Sequence, residues 1–232
     1  MLLIDVNINK KALTDIKINI KKHSPYPKKV KIIAVTKTLS YKSIQSAEEN
    51  NIFYIGENKV QETQNKISKH QISPKTHLCL IGHLQSNKTQ MAVKTYNVIQ
   101  SVDSLKLLNK LNTSAQKQNK TQQIFLQLNI TQTPTQTGFK KDEIMLAAEH
   151  AQSLLFLKTR GIMAIGANTR DIKTIKKTFR KTRRIQQEIN KKINPDCQEL
   201  SIGMSQDYIW ALQEGSTQIR LGTILYKKRN EQ

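Results

Sequence analysis

Eight short apolar runs punctuate this chain, and polar stretches with helical spacing separate them. That alternation restricts the fold more than any single motif does. The runs occupy 31–37 (KIIAVTK), 52–57 (IFYIGE), 77–82 (HLCLIG), 98–103 (VIQSVD), 123–130 (QIFLQLNI), 157–165 (LKTRGIMAI), 197–204 (CQELSIGM) and 216–223 (STQIRLGT). Helices are predicted between them, near 41–51, 58–70, 87–95, 104–119, 140–154, 171–192 and 205–214. A strand–helix repeat builds a parallel sheet, because successive parallel strands need a crossover to return to the same edge. Eight such units in 232 residues fit a closed (β/α)8 TIM barrel, at the short end of that fold's range. An open doubly wound sheet is the rival. It usually begins with a glycine-rich first turn, whereas the first turn here is Thr36-Lys37-Thr38-Leu39-Ser40.

Ahead of the barrel, Leu3, Ile4, Ile8, Leu13, Ile16 and Ile20 recur near helical spacing, which predicts a leading helix over 3–23, stopped by Ser24-Pro25-Tyr26-Pro27. No linker or compositional break divides the chain. The expectation is one α/β domain over 1–232, with a leading helix in 1–24 and a barrel in 30–226.

Composition narrows the function classes. No run of eighteen apolar residues exists to span a bilayer, and MLLIDVNINKKAL lacks the pattern of a secretory signal, so a cytoplasmic protein is expected. Cys79 and Cys197 each sit inside an apolar run and read as buried free thiols of a reducing compartment, not as a disulfide or metal site. The formal net charge of +21 raises the possibility of a nucleic-acid binder. However, the lysines are spread over the whole length. The densest patch, Lys173 to Arg184, has Ile172, Ile175, Phe179 and Ile185 along one side, as a solvated helix face does. At 5% aromatic residues, with no aromatic–basic interleaving, specific nucleic-acid binding is not expected.

In a barrel of this kind the strand C-terminal ends converge on the face that carries chemistry. Lys37, Glu57-Asn58, Gly82-His83, Asp103, Asn129, Met163, Ser201 and Arg220-Gly222-Thr223 all fall at or near such ends. Lys37 closes the first run and is either a lysine reaching into water or an amine poised for an aldehyde. Ser201-Ile202-Gly203-Met204-Ser205 and Arg220-Leu221-Gly222-Thr223 end the last two runs, and loops after strands seven and eight frequently bind phosphate in barrels. Ser205 is also a candidate helix cap, with Asp207 in the first turn. Arg220 and Gly222 alternate along one strand and so face the same side. An arginine there keeps its proton and could donate to a ring nitrogen, or it could pair with Glu214 or Glu57. Asn58 and Asn87 read equally well as helix caps, and His83 as a loop histidine with no carboxylate at triad spacing. There is no metal cluster, Walker loop or Gly-x-Ser-x-Gly elbow.

AVTK at 34–37, YIGENKVQE at 54–62, LIGHLQSNK at 80–88, LSIGMSQDY at 200–208 and EGSTQIRLGTILY at 214–226 together resemble the pyridoxal phosphate homeostasis protein family, which is similar to the barrel domain of alanine racemase. The resemblance implies that Lys37 forms an aldimine with pyridoxal 5′-phosphate. It implies that Ser201 and the backbone of Gly222 and Thr223 hold the phosphate, that Arg220 meets the pyridine nitrogen, and that Asn58 and Met204 line the pocket. It further implies a carrier that buffers or delivers the cofactor to apo enzymes, as a monomer. The racemase uses a second base, supplied from another domain and subunit. This chain closes soon after its eighth run, so no catalytic residue and little amino-acid turnover are expected. A narrow racemase or lyase using the same lysine is the alternative, and a basic nucleic-acid-binding protein the remote one.

Overall fold

The structure is a computed structural model and describes residues 4–68, 70–133 and 136–226; the first three and last six residues of the expected domain lie outside the described ones. Its strands are β1 Lys31–Val35, β2 Tyr54–Glu57, β3 His77–Leu80, β4 Val98–Val102, β5 Gln122–Leu128, β6 Leu157–Ala164, β7 Glu199–Met204 and β8 Gln218–Leu221. All neighbours pair in parallel and in chain order, and β8 returns to β1 with Ile33 opposite Arg220 and Ala34 opposite Leu221. The sheet therefore closes, and the expected (β/α)8 barrel is the fold.

The crossovers carry α2 Tyr41–Glu49, α3 Val60–Ile67, α4 Thr89–Thr95, α5 Leu105–Lys117, α6 Ile144–Ser153, α7 Ile172–Lys192 and α8 Tyr208–Gln213. Their starts follow local chemistry where a cap exists. Ser40, Ser104 and Asp171 each accept a backbone N–H of the first turn of α2, α5 and α7. Asn58 and Ser205 do not cap α3 and α8, whose N-cap positions belong to Lys59 and Asp207 without a side-chain bond.

The leading helix is shorter than its periodicity predicts. Here α1 spans Lys10–His23, because Asn9 Oδ1 accepts from Ala12 N and sets the start there. Residues 4–9 run extended instead, with their polar groups bound to other segments: Ser40 N donates to Ile4 O, Ile8 N to Ser46 Oγ and Asn9 N to Leu225 O. Leu13, Ile16 and Ile20 of α1 are buried, and Asn19 Nδ2 donates to the Tyr208 hydroxyl of α8.

Strand alternation divides the apolar residues. Ala34, Ile99, Ile124, Leu126, Leu200, Ile202, Ile219 and Leu221 belong to the main core with the helices. Cys79, Val98, Phe125 and Met163 form a separate cluster, joined by Tyr54, Ile81 and Ile165. This smaller cluster fills one side of the barrel interior. Gln100, Ser201, Gln218 and Arg220 are buried beside it, which gives the barrel a half-polar heart.

Candidate functional site

The end of β1 is fixed before Lys37 leaves it. Thr36 N donates to Gly56 O, and Thr36 Oγ1 donates to Glu57 Oε1 at 2.6 Å. Lys66 of α3 then reaches back, with its ammonium 2.7 Å from Thr36 O and 2.5 Å from the same Glu57 oxygen. The next residue, Lys37, is exposed in a turn, and Thr38 holds a left-handed φ of 63°. A non-glycine residue in that region is strained by roughly 1–2 kcal/mol, so the buried anchor behind it matters.

The other wall comes from β7 and β8. Gly203 turns with φ +93°, and a Cβ there would lie 2.5 Å from Ala211 Cβ, so the close approach of β7 to α8 requires glycine. Beyond the turn, Met204 N donates to Asp207 Oδ1 at 2.6 Å. Ser205 Oγ accepts from Thr223 Oγ1 at 3.3 Å and from Ile224 N at 3.4 Å. Both are longer than the roughly 2.7–3.0 Å of firm bonds, so these donors are only loosely committed to the protein.

Arg220 is buried. Its NH1 donates to Ser201 O and Oγ at 2.7 and 2.8 Å, and its NH2 to Ala164 O at 2.9 Å. Burial lowers its pKa to about 10, with attraction to Asp207 opposing the shift. Burial likewise raises the Asp207 pKa, against the Met204 N–H and the Arg220 charge. The carboxylates considered as partners for Arg220 are engaged elsewhere: Glu214 with Arg180, Glu57 with Lys66.

These walls enclose a cavity of about 1210 Å³ at the strand C-terminal ends. Lys37, Met204, Arg220, Gly222 and Thr223 all line it, with Val35, Ile81, Ile165 and Trp210 as its apolar surface. Two of the residues that the resemblance assigns to the cofactor stand outside that lining, as do Glu57, Gly82, His83, Asp103, Asn129 and Met163 from the other strand ends. Asn58 is half-buried behind Gly82, whose added Cβ would lie 2.4 Å from the Asn58 carbonyl. Ser201 is fully buried under Arg220, with its hydroxyl donated to Gln100 Oε1. The serine that lines the cavity is Ser205, four residues on. The sequence places Ser205 both in a candidate phosphate loop and as a helix cap; its place between Thr223 and Ile224 arises when β7 and β8 pair. His83 does have a carboxylate partner, Asp103 Oδ2 at 2.9 Å from Nδ1, though the imidazole is over half exposed.

Both thiols are buried and unpaired, and burial pushes each to a pKa of about 12. No group of three or more potential metal ligands occurs among the described residues, nor any helix long and apolar enough to cross a membrane. A surface recess on α7 is lined by Lys173, Lys176, Lys177, Arg180, Lys181 and Arg184, none of which lines the cavity just described.

The residue arrangement fits a phosphorylated aldehyde: an amine, a buried guanidinium and the loosely held hydroxyls of Ser205 and Thr223 line one space. Residues 8–230 match the family model of the alanine racemase N-terminal domain, which defines the class of barrel. Within that class the chain belongs to the pyridoxal phosphate homeostasis protein family. It is 33% identical to the Haemophilus influenzae member over 87% of this chain and 86% of that one. It is 34% identical to the Synechocystis sp. member over 88% and 93%. PipY of Synechococcus elongatus, solved without and with PLP bound, superposes with TM-scores of 0.83 and 0.80 at 28% identity, covering 94% of this chain and 99% of PipY. An alanine racemase from Clostridium difficile superposes with a TM-score of 0.75 at 14% identity, over 97% of this chain and 58% of that enzyme, a likeness of fold alone.

Proposed function

We propose that this protein binds pyridoxal 5′-phosphate in the barrel-mouth cavity and serves as its intracellular buffer and donor. One observation carries the reading: Lys37, Arg220, Ser205 and Thr223, drawn from strand ends nearly two hundred residues apart, line a single cavity. PipY, similar over nearly its whole length, has been solved with PLP bound, and the similar curated proteins are named for homeostasis of this cofactor.

Lys37 is the covalent anchor. Its Nζ condenses with the aldehyde carbon, forming a C=N bond and releasing water. Ser205 Oγ, Thr223 Oγ1 and the N–H of Ile224 receive the phosphate, exchanging two long internal bonds for charge-assisted ones. Arg220 meets the ring from its buried seat. A guanidinium donates and does not accept, so a ring nitrogen beside it stays unprotonated and the ring withdraws electrons less strongly. This favours holding the cofactor over turning over amino acids. Delivery to apo enzymes, a monomeric state and a cytoplasmic setting belong to the same proposal, the last supported by the two unpaired thiols.

The test is a visible spectrum of the purified chain with added pyridoxal phosphate, followed by borohydride reduction and peptide mapping. An imine band and a reduced adduct on Lys37, both lost in Lys37→Ala, are expected. Folded protein with neither band nor adduct would overturn the proposal.

A further inference from the structure

The hydrogen bonds beneath Arg220 continue through the barrel to its opposite end. Arg220 NH1 donates to Ser201 Oγ, and Ser201 Oγ donates to Gln100 Oε1 at 2.8 Å. Gln100 Nε2 donates to Gln218 Oε1 at 2.6 Å, and Gln218 Nε2 donates to Glu199 Oε2. Lys31 Nζ donates to that same oxygen at 3.0 Å. Gln100, Ser201, Gln218 and Arg220 are at most 5% exposed, whereas the Glu199 and Lys31 side chains are 17% and 35% exposed.

Every link from Arg220 to Glu199 donates in the same direction. The chain begins at a cation that can only donate and ends at a carboxylate that can only accept. The amides and the hydroxyl between them could each be reversed, and the two ends remove that freedom. If Glu199 could donate, Gln218 could turn over, then Gln100, and the Ser201 proton would no longer be drawn away from Arg220. Aligned dipoles in a water-poor interior also strengthen one another. Lys31 closes the chain against the same carboxylate: burial lowers the Lys31 pKa, but the hydrogen bond and charge of Glu199, with Tyr54, outweigh it and the net shift is upward.

We infer that Glu199 is a positioning residue for Arg220, acting across the barrel through Gln218, Gln100 and Ser201. The far mouth of the barrel, at the opposite ends of the strands from Lys37, thereby takes part in holding the guanidinium against the ligand. This rests on the proposal that Arg220 faces bound pyridoxal phosphate.

The experiment is a double-mutant cycle of Glu199→Gln and Ser201→Ala in the full chain. It is read by spectral titration with pyridoxal phosphate and by the melting temperature of the unliganded protein. Each single change is expected to weaken the cofactor roughly threefold to tenfold. The double variant should be no weaker than the worse single, because residues in one network do not act additively. A loss of packing would lower the melting temperature without that non-additivity in affinity. If Glu199→Gln does not fold, Gln218→Met severs the adjacent link while leaving the Lys31–Glu199 pair intact, and carries the same expectation. Wild-type affinity in the Glu199 or Gln218 variant, or losses that multiply in the double, would overturn the inference while leaving the cofactor proposal standing. A folded wild-type protein that takes up no pyridoxal phosphate would overturn both.

Discussion

Lys66 Nζ lies 2.5 Å from Glu57 Oε1, and each side chain is only 1% exposed. The pair is shared with Thr36, whose hydroxyl donates to that carboxylate and whose carbonyl accepts from that ammonium. The backbone leading into Lys37 is thus held by charges that water cannot reach. Removing one partner strands the other in the core, which costs about 3–5 kcal/mol, far more than breaking an exposed pair. Lys66→Met should lower unfolding free energy by that amount in urea denaturation, and adding Glu57→Gln should restore much of it. A single variant with the wild-type midpoint would show that the pair anchors nothing.

Ser205 and Ser201 should separate in ligand binding. A hydrogen bond to a charged group contributes about 1.5–3 kcal/mol. Ser205→Ala should therefore weaken pyridoxal phosphate roughly tenfold or more and weaken free inorganic phosphate as a competitor in proportion. Ser201→Ala acts through Arg220 and should leave phosphate competition unchanged. Equal effects of the two variants on phosphate would contradict this division.

Gly203 combines φ +93° with a position where a Cβ would lie 2.5 Å from Ala211 Cβ. Gly203→Ala should destabilise the fold by about 1–3 kcal/mol, from backbone strain plus overpacking. Adding Ala211→Gly removes the contact but not the strain, so differential scanning calorimetry should record partial recovery. Full recovery would mean the backbone conformation carries no penalty.

Asp207 should make stability depend on pH in a definite sense. Its folded pKa is raised by burial, so its contribution is fully present below its ordinary value of 3.8 and is lost as pH rises through the folded value. Asp207→Asn can still accept the Met204 N–H but carries no charge. The stability of this variant relative to wild type should be more favourable at neutral pH than at about pH 4, the ordinary carboxylate value, in denaturant titrations. A flat or inverted difference would contradict the burial argument.

On α7, Lys173, Lys177 and Lys181 are exposed and follow one another at i, i+4 spacing. Like-charged neighbours at that spacing each cost about 0.2–0.5 kcal/mol. Lys177→Glu turns two repulsions into attractions and should stabilise the chain by roughly 1–2 kcal/mol at low salt and less at high salt. Pyridoxal phosphate uptake should be unaffected; a weakened uptake would tie this face to the site.

By itself, the sequence determined the barrel and the place of Lys37 just past the end of its first strand. Strand and helix spacing are local properties, and eight alternations leave a parallel sheet little choice but to close; Lys37, Arg220, Gly222 and Thr223 could be placed at strand ends on that basis alone. The leading helix was overextended because apolar spacing does not reveal where Asn9 caps, nor that residues 4–9 bond to Ser40, Ser46 and Leu225. Only the tertiary structure decided which serine faces the cavity. Alternation sets a side chain's direction along a strand, but not its depth, and it fails beyond a left-handed turn such as Gly203. Tertiary structure alone also joined Ser201 to Gln100 across 101 residues and Lys66 to the backbone before Lys37, because both contacts exist only once the barrel has closed and excluded water from them.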